Sequence, residues 1–165
     1  MQYLPILLLS LTSLLLQDHS SKSIKSIDDE MKLNWKTEIG CASFKTNAVN
    51  KDGFIYIGSN GKNFHDYYPI DATSGVYQLN GKTGAIIHRA GQGNFGDLDV
   101  NGILVFDNKL FFGNDNEEFL CTDLNGHILW NIATSGDIEH EPILIKNKNS
   151  YSIVYATEVG EVRAV

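Results

Sequence analysis

Acidic residues crowd a few short stretches of this 165-residue chain, and their chemistry is the first thing the sequence offers. Asp97-x-Asp99-x-Asn101-Gly102 has the opening spacing of a calcium loop, in which side-chain oxygens alternate and a glycine permits a sharp turn. The twelfth position, where such a loop carries a bidentate glutamate, is Asn108. Asp97, Asp99 and Asn101 are therefore the candidate metal ligands and calcium the candidate ion. A turn held by Asp97 bonding its own backbone accounts for the same letters. A second stretch, Gly136-Asp137-Ile138-Glu139-His140-Glu141, repeats the pattern 40 positions later. His140, between two glutamates, is a candidate ligand or general base, although the spacing is not that of H-E-x-x-H. Asp115, Glu117, Glu118 and Glu158 add further carboxylates. Tyr67 and Tyr68, beside His65 and Asp66, are aromatics on a long loop, suited to recognition or to packing over the fold. There is no G-x-S-x-G, no phosphate loop and no C-x-x-C, so the residues point to binding rather than catalysis.

The totals narrow the classes further. With 42% hydrophobic and 20% charged residues the chain has globular composition. Its net charge of -7 argues against nucleic acid, since phosphate binding needs clustered Lys and Arg. Cys41 and Cys121 are too few for a disulfide framework; they read as free thiols in strands or as one long-range bridge. The apolar run Leu4–Leu16 is short for a membrane span and fits the core of a secretory signal, so residues 1–20 read as a signal peptide and 21–32 as a polar linker. A secreted or periplasmic chain with no stable membrane span after signal removal is the expectation; an uncleaved anchor is the alternative.

The elements that must position the acids begin at residue 33. The stretch Lys109–Trp130 reads as three strands, KLFFG, EFLCT and HILW, separated by Gly-Asn-Asp-Asn and Asp-Leu-Asn-Gly turns. Two other regions copy it. Ile55-Tyr56-Ile57-Gly58 matches Leu110-Phe111-Phe112-Gly113 and Ile153-Val154-Tyr155-Ala156. Val76-Tyr77-Gln78-Leu79 matches Phe119-Leu120-Cys121-Thr122 and Val162-Arg163-Ala164-Val165, and Leu33-Asn34-Trp35 matches Ile86-Ile87-His88 and Ile128-Leu129-Trp130. A period of about forty residues with four short strands is that of a propeller blade. The predicted strands are 33–37, 45–49, 54–58, 75–79, 85–88, 103–106, 109–113, 118–122, 127–131, 142–146, 152–157 and 161–165. The first is the outer strand of a preceding blade, and the last blade lacks its outer strand. The expected fold is thus all-β: a partial β-propeller of about three four-stranded antiparallel blades over 33–165, preceded by the hydrophobic signal segment.

The residues Ile55-Tyr56-Ile57-Gly58, Tyr77-Gln78-Leu79, Lys82-Thr83-Gly84, Phe112-Gly113, Gly126 with Trp130, Trp35, and Tyr155-Ala156 with Gly160-Glu161-Val162 resemble the pyrroloquinoline-quinone-like repeat of quinoprotein-dehydrogenase-like β-propellers. The resemblance implies that Thr-Gly closes the turn into the outer strand and that the Trp packs between blades; His88 stands in one Trp position. Cofactor-binding members use adjacent cysteines, which this chain does not have, so the resemblance implies a scaffold without quinone. Three units do not close a ring of four to eight blades, so the expectation is a fragment, a truncated product or a half that pairs with another copy.

Alternating antiparallel strands send every second connection to the same end of a sheet. Sorted this way, Asp66, Asp71, Asp97, Asp99, Asp115, Glu117, Glu118, Asp137, Glu139, Glu141 and Glu158 fall at one end, and Lys51, Lys82, Lys109, Lys146 and Lys148, diluted by Asp52, Asp107 and Asp123, at the other. The acidic end, with Asp115, Glu117, Asp137, Glu139, His140, Tyr67 and Tyr68, is the candidate binding face for a protein or cationic ligand. A soluble, solvated rim is the plain alternative. The expected function is a non-catalytic binding scaffold; the rivals are part of a quinoprotein oxidoreductase and a calcium-stabilised adhesion propeller.

Overall fold

The computed structural model describes residues 32–42, 45–61, 73–90 and 99–165. The signal segment, the linker up to residue 31, Asp97, Tyr67 and Tyr68 lie outside the described residues. The chain divides into Met1–Leu33 and Asn34–Val165, and the second unit carries the strands. Among the described residues no helix is long and apolar enough to cross a membrane.

Two-residue turns set the first hairpins. Asp52 and Gly53 both have positive φ, 53° and 82°, and so do Asp107 and Asn108, 49° and 55°. Successive left-handed residues give a turn whose twist matches that of paired antiparallel strands. The first turn joins β1 (Ala48–Lys51) to β2 (Phe54–Ser59), and the second joins β5 (Ile103–Phe106) to β6 (Lys109–Asn114). β3 (Gly75–Asn80) and β4 (Ile86–Ala90) complete the first sheet, in the order β1-β2-β3-β4. β7 (Glu118–Asp123) and β8 (Ile128–Ala133) complete the second, in the order β5-β6-β7-β8. The third sheet is β9 (Ile143–Lys146), β10 (Tyr151–Ala156) and β11 (Val162–Ala164), three strands with β10 in the middle. All pairings are antiparallel. The two complete sheets share an irregularity at the same place, between Gln78 and Leu79 and between Cys121 and Thr122.

Period-two alternation gives each sheet two faces, and the middle sheet buries both. Leu110, Phe112, Leu120 and Ile103 pack against Tyr56, Val76 and Ala90 of the first sheet. Phe111, Phe119 and Cys121 turn the other way and pack against Ile153 and Tyr155 of the third. Phe119 is fully buried and stacks on Tyr155 with ring centroids 4.0 Å apart. The three sheets are therefore stacked face to face in chain order, and no closed ring or barrel forms among the described residues.

Two glycines mark where one unit's chain crosses the next. A Cβ on Gly58 would meet the carbonyl oxygen of Val100, which leads into the second sheet, and a Cβ on Gly113 would meet the Ile138 side chain, which leads into the third. These are the glycines of the repeated apolar-aromatic-apolar-Gly pattern, and close approach is their physical reason.

Three expectations need correcting. Residues 33–37 form no strand. Instead, Asn34–Cys41 runs along the first sheet: Trp35 Nε1 donates to Gly81 O (3.1 Å), Thr37 Oγ1 to Gly84 O (2.5 Å), and Ser59 Oγ to Ile39 O (2.6 Å). Among the described residues its backbone pairs with the first sheet at an isolated antiparallel bridge, Cys41 with Gly61. The first inner strand begins later than expected, at Ala48, just after Asn47, whose side chain bonds the backbone of Ile103. The 40-position repeat also slips by one inside the strands. Leu104 pairs with Phe111, and Ile143 pairs with Val154, the counterpart of Phe111, so Ile143 occupies the place of Leu104 rather than that of Ile103. A one-residue slip moves a side chain to the opposite face.

Candidate functional site

The acidic end is assembled from three loops. In the β6–β7 turn, buried Asn114 turns its Oδ1 inward to accept the N–H groups of Asn116 and Glu118, both at 3.1 Å. That bond pattern leaves Asn116 and Glu117 exposed and Asp115 half-buried, with Glu117 held at φ 55°, a left-handed conformation seldom taken by a glutamate. The β8–β9 connection is tied to this turn by Thr134 N donating to Glu117 O (2.8 Å). It is tied to the β10–β11 turn by Glu158 N donating to Asp137 O (2.9 Å).

Asp137 lies half-buried between the other two acids. Burial pushes its carboxyl above the usual carboxylate range, and the charges of Glu158 and Glu117 push it further, against one backbone bond from Glu117. Like charges brought together out of water disfavour ionisation. Glu117, Asp137 and Glu158 thus form one negative cluster drawn from separate connections.

The other predicted residues have different surroundings. Glu139 pairs with Lys45. Glu141 accepts from Asn47 Nδ2 at 2.5 Å, and the same Asn47 brackets Ile103 through bonds of 2.9 and 2.8 Å. The segments leading into the innermost strands of all three sheets therefore converge. His140 is exposed beside them. Glu118 is turned along its sheet and accepts from Asn131 at 2.8 Å. Asp99 is half-buried, and Asn101 is 4% exposed. Gly102 of the calcium-like spacing is explained by packing, because a Cβ there would strike the backbone of His140 and Glu141. Among the described residues no group of three or more His, Cys, Asp or Glu is arranged to hold a metal ion.

At the opposite end two of the lysines pair with neighbouring acids. Lys109 bonds Asp107 at 2.9 Å and Lys51 bonds Asp52 at 3.0 Å. Asp123 caps the β7–β8 turn, accepting from the backbone of Asn125 and His127 (both 2.9 Å) and from the His127 ring (2.8 Å). Burial works against ionisation of Asp123, but these bonds together hold it below the ordinary carboxylate range. A cleft of about 510 Å³ lies between the first sheet and the segment along it, lined by Thr37, Glu38, Ile39, Gly40 and Tyr77.

Sequence reasoning missed Lys45 and Asn47. Both precede the first inner strand, at the positions where the second unit has Val100 and Gly102. Aligning all three lead-in segments, not only the last two, is the signal that points to them.

No protein-family model matches the chain, and no curated protein matches it. Among solved structures it is similar to the computationally designed Ika4 protein, with 15% identity and a TM-score of 0.50 over 72% of this chain and 62% of that one. The computationally designed Ika8 protein matches with 15% identity and a TM-score of 0.49 over 71% of this chain and 31% of that one. The chain thus spans less than two thirds of either designed protein. At 15% identity the likeness to Ika4 speaks of fold alone: this is an all-β chain of stacked antiparallel sheets.

Proposed function

We propose that this chain is a non-catalytic, propeller-type binding scaffold of pyrroloquinoline-quinone-like repeats whose acidic end receives a basic segment of a protein partner. The observation that carries the reading is the convergence of Glu117, Asp137 and Glu158 from three loops, with the Asp137 carboxyl pushed up first by burial and then by the charges of Glu158 and Glu117. Self-repelling carboxylates cost the free protein stability, and a Lys- or Arg-rich ligand relieves that cost on binding. Glu117 at positive φ adds backbone strain at the same place. The apolar run Leu4–Leu16 supports a secreted location for such a scaffold.

A short Lys/Arg peptide titrated by calorimetry at low and high salt tests this. The expected result is binding that weakens steeply with salt and is lost in the triple variant Glu117→Gln, Asp137→Asn, Glu158→Gln. Absence of binding, or equal binding by the triple variant, overturns the reading.

A further inference from the structure

We propose that Asn125 is a site of spontaneous covalent modification, converting to aspartate and isoaspartate through a cyclic imide with Gly126, and that the contact from His88 sets the rate.

The chemistry belongs to the dipeptide. The backbone nitrogen that follows an asparagine can attack the side-chain Cγ, and glycine has no Cβ to block the approach. A bond forms between Gly126 N and Asn125 Cγ, the carboxamide C–N bond breaks, and ammonia leaves with the amide proton. Water then opens the imide. Addition at Cγ gives aspartate, and addition at the α-carbonyl carbon gives isoaspartate. No oxidant or reductant is needed.

The sequence holds four such pairs: Asn60-Gly61, Asn80-Gly81, Asn101-Gly102 and Asn125-Gly126. As letters they are equal; the fold ranks them. Asn60 and Asn101 are 6% and 4% exposed. Gly61 is fixed by Cys41 N donating to its carbonyl and by its own N–H donating to Ser59 Oγ (3.1 Å). Gly102 lies against the backbone of His140 and Glu141. Neither nitrogen can swing toward a side-chain carbon without opening the packing between sheets.

Asn80 and Asn125 both lie in outer turns, and there the two turns differ. In the β3–β4 turn the asparagine is itself the cap. Asn80 Oδ1 accepts from Lys82 N (2.9 Å) and Thr83 N (3.1 Å), while Gly81 N donates to Gly53 O (2.9 Å) in a separate hairpin. Electrophile and nucleophile are both engaged. In the β7–β8 turn Asp123 does the capping, with Oδ1 on the N–H groups of Asn125 and His127. Asn125 is left exposed at the tip with its carboxamide outside that network. Gly126 N donates to Asp123 O (3.1 Å), so both partners of this bond belong to the turn itself. Opening it is a local event, and local opening of an exposed turn costs far less than unpacking sheets.

What holds this turn from outside is His88, whose Nε2 lies 2.6 Å from Asn125 O. The modification therefore falls on the joint between the first two sheets. In isoaspartate the carbon bearing that oxygen becomes the free carboxylate and the chain continues through Cγ, so the contact is remade and the turn lengthened.

Peptide mapping by mass spectrometry on the folded 165-residue chain, aged in mildly alkaline buffer, tests this. The readout is the amide-to-acid mass gain at each asparagine, with isoaspartate distinguished by fragmentation. Conversion at Asn125 is expected to outrun that at Asn60, Asn80 and Asn101 by at least about tenfold. Asn149, exposed but followed by Ser150, is expected to lag behind Asn125 as well. In the urea-unfolded chain the four Asn-Gly rates are expected to converge. His88→Ala is expected to raise the native rate at Asn125 about 2- to 10-fold, the weight of one hydrogen bond, and to leave that at Asn80 unchanged. Asn125→Gln is expected to abolish the early release of ammonia, because the longer side chain closes the ring poorly. Equal rates at all four pairs in the folded chain, first conversion at any other asparagine, or early ammonia release that survives Asn125→Gln overturns the site. No rise in His88→Ala, or a rise shared by all four pairs, overturns the role given to His88. None of these outcomes depends on what the acidic end binds.

Discussion

The ring Nε2 of His88 lies 2.6 Å from the carbonyl oxygen of Asn125, joining the outer strand of one sheet to the outer turn of the next. A carbonyl only accepts, so Nε2 carries the proton and donates. Removing the bond in His88→Ala is expected to cost about 0.5–1.5 kcal/mol, read as a lower urea midpoint at constant m-value. An unchanged midpoint would mean that the contact contributes nothing to holding the sheets together.

Gly58 and Gly113 serve the same stacking from below. A Cβ at Gly58 meets backbone, and one at Gly113 meets the side chain of Ile138. Backbone yields less than a side chain, so Gly58→Ala is expected to be the more damaging of two losses of about 1–3 kcal/mol. Ala156, their counterpart in the third unit, is exposed, and Ala156→Gly is expected to cost only about 0.5–1 kcal/mol through backbone entropy. Denaturant melts of the three variants give the ranking; equal costs for all three would contradict the packing account.

The raised carboxyl of Asp137 makes stability depend on pH. Below about pH 3.9 the group is protonated in both folded and unfolded chains and has no effect. As pH rises the unfolded chain releases its proton first, so folding loses stability until the folded carboxyl also ionises. Asp137→Asn is therefore expected to raise Tm at pH 7, by up to about 3 °C, and to leave it unchanged near pH 3. A stabilisation of the same size at both pH values would show that charge is not the cause.

The two cysteines differ in access. Cys121 is fully buried between the second and third sheets, and burial pushes its thiol pKa up. Cys41 is half-buried on the segment along the first sheet. An aromatic disulfide reagent is expected to titrate one thiol quickly and the second only at the rate of unfolding, because the thiolate is the reactive form. Two fast equivalents in native buffer would refute that burial.

Much of this fold was legible as letters. Gly113-Asn114-Asp115-Asn116 and Asp123-Leu124-Asn125-Gly126 announced the turns that join β6 to β7 and β7 to β8, because Gly, Asn and Asp favour turn conformations. The alternating aromatic and aliphatic runs at Phe54, Leu110 and Ile153 announced strands, and the repeat period placed them within a few residues. The grouping of Asp115, Glu117 and Asp137 at one end followed from counting connections, since antiparallel strands leave no other choice. The pairing of Lys45 with Glu139 was not legible, nor was the bracket that Asn47 forms with Ile103 and Glu141. Those partners are far apart in the chain and meet only because three inner strands converge.

Local chemistry alone determined an all-β chain of three repeated antiparallel units with Asp115, Glu117 and Asp137 on one side, because turn stereochemistry and period-two burial act over a few neighbouring residues. Tertiary structure alone decided which residues cover which. The one-residue slip that sends Ile143 outward, the posture of Trp35 over Gly84, and the crowding of Glu117 and Glu158 on Asp137 all belong to the assembled sheets. A stretch of sequence specifies its own strand and turn, but the face it presents to a neighbour is set by register across the ladder, and that is a property of the assembled sheets.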